Sequence, residues 1–310
     1  MKTPLPRPVS ASPRPRVAAP AAITTPPLAE PATLGSGIGV ILLSSVLFGA
    51  MAVCVRVAAR EMPAAQIAFF RFGGAFLVLM AFNRGRSLRP QPGNLPRVVL
   101  RALLGASAIL LYFRGIQGAG AGFATLLHCT YPVYTTLIAT AFMGEHFSSR
   151  IAAALALNVA GAFVMLGPTA NVSAATMAGG LNALAASVLA GGAVAAARHL
   201  RSTESALLIT VYFMAIGALL TAPSVLSGFP PLSLSLCLAL LGTILTSVAA
   251  QFLLHHGLGF AGATQGALAC ATSVVSAALF EAIFLGETLG PSALVGAAVL
   301  VGAVGLALTR

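Results

Sequence analysis

Ten stretches of this chain, near residues 36–57, 64–82, 98–118, 121–143, 151–167, 177–197, 205–222, 233–255, 262–285 and 290–308, are apolar and carry almost no charge. Each is about 17 to 25 residues long, the length an α-helix needs to cross a hydrocarbon layer of about 30 Å. Backbone placed in hydrocarbon must satisfy its own hydrogen bonds, which leaves helices and closed barrels as the only solutions. Barrel strands are about ten residues long and alternate strictly, and these segments do neither. The chain therefore reads as an all-α polytopic membrane protein with ten transmembrane helices. Its 7% of charged residues, against about 25% in an ordinary soluble domain, agrees.

Residues 1–33 differ, with nine prolines, four basic residues and little from which to build a core. They read as a disordered tail without the basic, apolar and small-residue order of a cleaved leader. The formal charge of +11 raises the question of nucleic acid, but its distribution points to a bilayer. Thirteen basic residues lie in the tail, at the even-numbered connections or at the C-terminus, and only Arg56, Arg60 and Arg114 fall on the other side. Excess positive charge marks the cytoplasmic face, so both termini are expected there. Cys54, Cys129, Cys237 and Cys270 all fall in apolar segments and read as small buried hydrophobes.

The chain also repeats itself. At an offset of 142 residues SVLFGAMAVCVR (45–56) lies on SVLAGGAVAAAR (187–198). The same offset puts AGAGFATLLHCTYPVYTTLIATAFMGE (119–145) on AGATQGALACATSVVSAALFEAIFLGE (261–287), with ten of 27 positions identical. Two distant windows agreeing on one offset indicate two five-helix halves, 34–168 and 169–310. Five is odd, so the second half enters the membrane from the opposite side. Inverted repeats of this kind place a substrate site near the bilayer midplane and permit alternating access.

The paired AFMGEHFS and AIFLGETLG, each closing a small-residue helix, resemble the EamA-type domain of the drug/metabolite transporter superfamily over about residues 36–308. The resemblance implies a multi-pass exporter of small metabolites in the bacterial inner membrane, with amino-acid exporters of the YddG type a close fit.

Candidate site residues come from polar groups inside the apolar windows. In LLHCTYPVY (126–134), Pro132 lacks an N–H and is expected to bend the fourth helix near its middle. His128, Tyr131 and Thr135 share one helix face and Thr130 and Tyr134 another. The second half supplies Cys270, Thr272, Ser273 and Ser276 at the repeat offset. These residues either line a pocket between the halves or serve as interhelical contacts. Arg71, within the second helix, is a candidate partner for a substrate carboxylate or a structural cation. Gln251 and Gln265 are candidate cavity amides or helix-packing residues. Glu281, the deepest of six carboxylates, is a candidate for proton coupling or for a salt bridge. Glu145 and Glu287 are repeat equivalents read as helix caps or gates.

The glycines of GIQGAGAG (115–122) and GLGFAG (257–262) read as close crossings or hinges. His255 and His256 point about 100° apart on a helix, a poor chelate. No cluster of metal-ligand spacing accompanies them, and no cofactor or metal is expected. There is no P-loop signature, and Lys2 is the only lysine, which argues against an ATP-driven pump. His128 and Cys129 are sequence neighbours and diverge, so they make a poor nucleophile–base pair and the chain is not expected to be an enzyme. The expected partners are a small-molecule substrate and the bilayer, and a monomer is compatible with both.

Overall fold

The computed structural model describes residues 31–83, 85–119, 124, 127–166, 174–286 and 288–308. Their regular structure is helical: α1 (Pro31–Ala58), α2 (Ala64–Ala81), α3 (Leu95–Ala119), α4 (Tyr131–Met143), α5 (Ser149–Leu166), α6 (Ala174–Leu200), α7 (Ala206–Thr221), α8 (Leu234–Gly257), α9 (Ala263–Ala271), α10 (Ser273–Leu285) and α11 (Pro291–Leu308). Eight spans are long and apolar enough to cross a membrane, with α9 and α10 forming one of them. The short apolar α5 and α4, with the residues leading into it, account for the other two of the ten windows. α1 opens at Pro31, inside the stretch read as tail, because proline fits the first turn, where its missing N–H has no helical partner to lose. The rest of that tail and Glu287 lie outside the described residues.

The packing is between halves. α1 lies along α8 and α3 along α6; α2 meets α7, α4 meets α9, and α5 meets α11. α1 also packs on α10 and α4 on α6. Exchanging the two halves maps every one of these contacts onto itself or onto another in the set, as a pseudo-two-fold relation between repeats requires.

Close crossings depend on paired glycines. A Cβ on Gly49 would lie 2.5 Å from Ser276 Cβ, and one on Gly191 would lie 2.7 Å from Tyr134 Cβ. These two contacts are related by the repeat offset. A second related pair sets Gly257 against Ile41 and the Gly37 carbonyl, and Gly115 against Ala183 and the Gly179 carbonyl. Without hydrophobic drive between helices in lipid, such backbone approach is what gains dispersion energy.

Both halves break their fourth helix at the same place. The turn before α4 and the joint between α9 and α10 are centred on Thr130 and Thr272, and each hydroxyl donates to the carbonyl three residues back, Leu127 and Ala269, at 2.7 Å. The first breaks where Pro132 was expected to bend it, and the second breaks at the equivalent place with Val274 there instead. The proline sits in the first turn of α4, where it is tolerated. Both segments end on a left-handed glycine, Gly144 (φ 68) and Gly286 (φ 70). Cys129 and Cys270 are buried as expected, whereas Cys237 is exposed on α8, so apolar surroundings in sequence did not mean burial there.

Gly191→Val should cost about 1–3 kcal/mol, because Tyr134 Cβ, the Thr135 amide and the Tyr131 carbonyl all lie within 3.0 Å of the added carbon. Gly39→Ala, which meets nothing within 4 Å, serves as the control and should be neutral or slightly stabilising. Thermal unfolding of both variants in detergent checks the difference.

Candidate functional site

A cavity of about 370 Å³ opens at one end of the bundle, lined by Val55 of α1, Ala59, Glu61, Met62 and Pro63 of the following turn, Ala64 of α2 and Phe113 of α3. That volume lies in the range that holds small metabolites. Arg71 follows on α2 seven residues after Ala64, about 10 Å farther into the bundle at 1.5 Å per residue.

Arg71 is almost fully buried. Its Nε donates to Ser247 Oγ at 2.8 Å, its guanidinium lies 5.1 Å from the centre of the Phe72 ring, and its Nη1 has no partner. Ser247 belongs to a polar stripe on α8: Thr243, Ser247, Gln251 and His255 recur every four residues, share one face and are all buried. At the far end of the stripe Arg101 of α3 meets His255, Nη2 to Nε2 at 2.6 Å. A guanidinium can only donate, so His255 accepts there and its proton sits on Nδ1, facing Thr210 Oγ1 at 2.7 Å. Gln251 Nε2 approaches the same imidazole nitrogen at 3.1 Å. Arg201, just past the end of α6, donates from Nε to the His255 carbonyl at 2.8 Å. Its own burial, followed by the charge of Arg198, lowers the Arg201 pKa from its ordinary value.

Around the broken helix, the His128 ring stacks on Tyr112 at 4.4 Å and lies 5.7 Å from Tyr131. Its Nδ1 is buried without a partner. Tyr131 is buried, and its hydroxyl donates to the Ala267 carbonyl at 2.9 Å, which ties α4 to α9. Thr130 Oγ1 also lies 2.8 Å from Ser187 Oγ. Ser45, the repeat equivalent of Ser187, donates to the Ala269 carbonyl at 2.9 Å. The first helix of each half thus reaches the break in the other half.

The carboxylates are engaged at opposite ends. Glu145 accepts from the amides of Ala263 and Thr264 and from the Thr264 hydroxyl, at 2.7, 3.3 and 2.9 Å. It therefore caps α9, whose N-cap Gly262 has no side chain of its own. Capping was expected, but on the helix that follows Glu145; the structure directs it to the other half. At the cavity end Glu281 pairs with Arg56 at 2.9 Å.

Of the residues singled out in sequence, Arg71 and Gln251 come together on one line through Ser247. His128, Tyr131 and Thr130 gather at the break, but the Tyr131 and Thr130 hydroxyls, like that of Thr272, are committed to backbone carbonyls. Pro132 lies in the first turn of α4, beside them in sequence. Tyr134 and Ser276 press on Gly191 and Gly49, half-buried Ser273 opens α10, and Gln265 Nε2 reaches the Ala307 carbonyl at 3.4 Å. Sequence reading missed Arg101, Thr210, Ser247 and His255 as a set, although the four-residue spacing on α8 was there to be counted. It also passed over Ser45 and Ser187, which stand at the head of the repeated Ser-Val-Leu motif.

A profile of the EamA-like transporter family matches the chain twice, at residues 35–167 and 177–309. The pseudopaline exporter CntI of Pseudomonas aeruginosa is 28% identical over 63% of this chain and 68% of its own length. An uncharacterized transporter of Archaeoglobus fulgidus is 26% identical over 86% of this chain and 94% of its own. A riboflavin transporter of Rhizobium johnstonii is 29% identical over 62% of this chain and 63% of its own. One solved crystal structure superposes with a TM-score of 0.73 at 21% identity, covering 88% of this chain and 96% of that one, which is agreement of fold.

Glu145→Ala should remove all three capping bonds, costing about 0.5–2 kcal/mol and loosening the start of α9. Faster maleimide labelling of a cysteine placed at Gln265, relative to the same cysteine with Glu145 intact, is the expected reading.

Proposed function

The chain belongs to the EamA-like transporter family, and on that premise we propose that it exports a small carboxylate-bearing metabolite, with amino acids as the leading class, across the bacterial inner membrane by alternating access. The observation that carries this reading is Arg71. A buried guanidinium held by one serine hydroxyl, with an unpartnered nitrogen and no carboxylate bonded to it among the described residues, is a costly arrangement unless an anion completes it. A substrate carboxylate would do so by paired, charge-assisted hydrogen bonds. Gln251, one turn along α8 from Ser247, supplies an amide, and His128 stacked on Tyr112 is an aromatic surface with an unpartnered Nδ1 that suits the apolar remainder of such a substrate. The names of the relatives add support, since one is an exporter of pseudopaline and another a transporter of riboflavin. A cationic cargo suits this line poorly, because the buried side-chain charges along it are both positive.

With both termini in the cytoplasm, as the distribution of arginines implies, the Glu61 cavity faces outward and the Glu145 cap faces inward. The arrangement is then an outward-open form: the cavity admits solvent at one end while Glu145 and the Arg101–His255 contact hold the other. Glu281 takes part at the outer end, where its protonation would release Arg56 and so couple an external proton to movement of α10 against α1.

Saturable counter-flow of radiolabelled amino acids by the purified protein in liposomes tests the function. Arg71→Gln should reduce exchange at least tenfold, roughly the 1.4 kcal/mol per factor of ten expected when a charged hydrogen bond is lost, and decarboxylated analogues should not exchange. Exchange at the wild-type rate in Arg71→Gln, with folded protein, would remove the carboxylate role. Glu281→Gln should flatten the response of exchange to an imposed pH gradient, and an undiminished response excludes Glu281 as the coupling group.

A further inference from the structure

We propose that Arg101 and His255 form a second anion-binding station, so that a carboxylate crosses this protein in two steps along α8: Arg101 at the Glu145 end and Arg71 deeper in the bundle. The inference rests on the carboxylate reading given above and extends it to a site at the opposite end from the cavity.

The chemistry at Arg101 parallels that at Arg71 and is more exposed to the same deficit. The residue is 4% exposed. One nitrogen meets His255, the face of the guanidinium lies 4.3 Å over the Phe213 ring, and Nε and Nη1 are buried without partners. Neither contact neutralises the charge, because the imidazole accepts as a neutral group and the ring offers only its quadrupole. The carboxylates at this end are engaged elsewhere: Glu145 caps α9, and Glu204 has Oε1 committed to the Gln91 amide and the Asn94 side chain, both at 2.8 Å. Arg201, held on the His255 carbonyl, adds a second cation. What is missing is an anion, and the surroundings keep room for the guanidinium itself: a Cβ on Gly105 would lie 3.0 Å from Nη1 and 2.9 Å from Phe213 Cε2.

The stripe on α8 connects the two arginines. Ser247 holds Arg71 and His255 holds Arg101, eight residues apart or about 12 Å along the axis at 1.5 Å per residue. Gln251 sits halfway between them and already touches His255. A carboxylate bound at Arg101 while the Glu145 end is open thus has a polar track toward Arg71 and never faces bare hydrocarbon. Two stations of like charge also hold the anion less firmly than one closed ion pair, which favours release over trapping.

The test is an NMR titration of the full chain in lipid nanodiscs, labelled with [15N]arginine, using acetate as the probe against a chloride control of equal ionic strength. Arg71→Lys and Arg101→Lys each remove one Nε–Hε resonance and so assign it. If Arg101→Lys fails to fold, His255→Gln, which removes the imidazole partner of Arg101, together with Arg201→Lys, which removes the Arg201 resonance, assigns the Arg101 resonance. The expected result is a saturable shift of the Arg101 resonance with acetate that persists in Arg71→Lys and is not produced by methylammonium. An unmoved Arg101 resonance alongside a shifting Arg71 resonance overturns the second station and leaves the carboxylate reading standing. If neither moves, both are overturned.

Discussion

A helix broken inside a membrane leaves carbonyls that no water can satisfy, and each half of this protein supplies the partner for the break in the other. Thr130 and Thr272 turn their hydroxyls back onto Leu127 and Ala269, which tightens the local turn. Ser187 then bonds Thr130, and Ser45 bonds the Ala269 carbonyl, from the first helix of the opposite repeat. Neither half can be withdrawn without exposing polar backbone to hydrocarbon. The interdigitated packing of α1 on α8 and α3 on α6 follows from the same need. Paired glycines at 49 and 191 let the first helices come close enough for those serines to reach.

Against this neutral, self-satisfied frame the buried charges stand out. Among the described residues nine buried side-chain atoms lack a partner, four of them on Arg71, Arg101 and His128 and five on Asn158, Gln66, Asn83 and Thr140, and only the two arginines among these carry charge. A buried ion without a counter-ion is retained against a penalty of several kcal/mol, so two such arginines on one polar stripe point to use rather than to stability. The serine and the histidine that hold them orient each guanidinium without neutralising it, which is what a site for a transient anion requires.

Much of the frame was legible because hydrophobic length and internal repetition are properties of the chain itself. The ten windows follow from bilayer thickness, and the offset of 142 residues predicted which positions would be structural equivalents down to Thr130 with Thr272 and Gly144 with Gly286. Pro132 marked the break in the first half, but the second half has a valine there, so its break was not legible until the threonine common to both joints was seen. The site was less legible for a different reason. Hydroxyls around LLHCTYPVY looked available, but a hydroxyl in lipid takes the nearest carbonyl, and the sequence does not say which carbonyl is near. Arg101 was counted only as one of the basic residues flanking a connection, although the structure turns it inward to His255, a residue 154 positions away.

The inverted repeat makes the ends of the bundle comparable, and the difference between them indicates how the protein would move. At one end α9 is locked by a carboxylate from the other half, and Arg101, Arg201 and His255 draw α3, the end of α6 and α8 together. At the other Glu281 pairs with Arg56, next to an open cavity. Because the halves are equivalent in topology but not in side chains, inversion of the same contacts would open the first end and close the second. The arginines lie between the two closures, so a substrate held there could be reached from either end, depending on which set of contacts is made. The chemical asymmetry of those contacts, a carboxylate-capped helix start at one end and an arginine–carboxylate pair at the other, would then set the balance between the two forms in the absence of substrate.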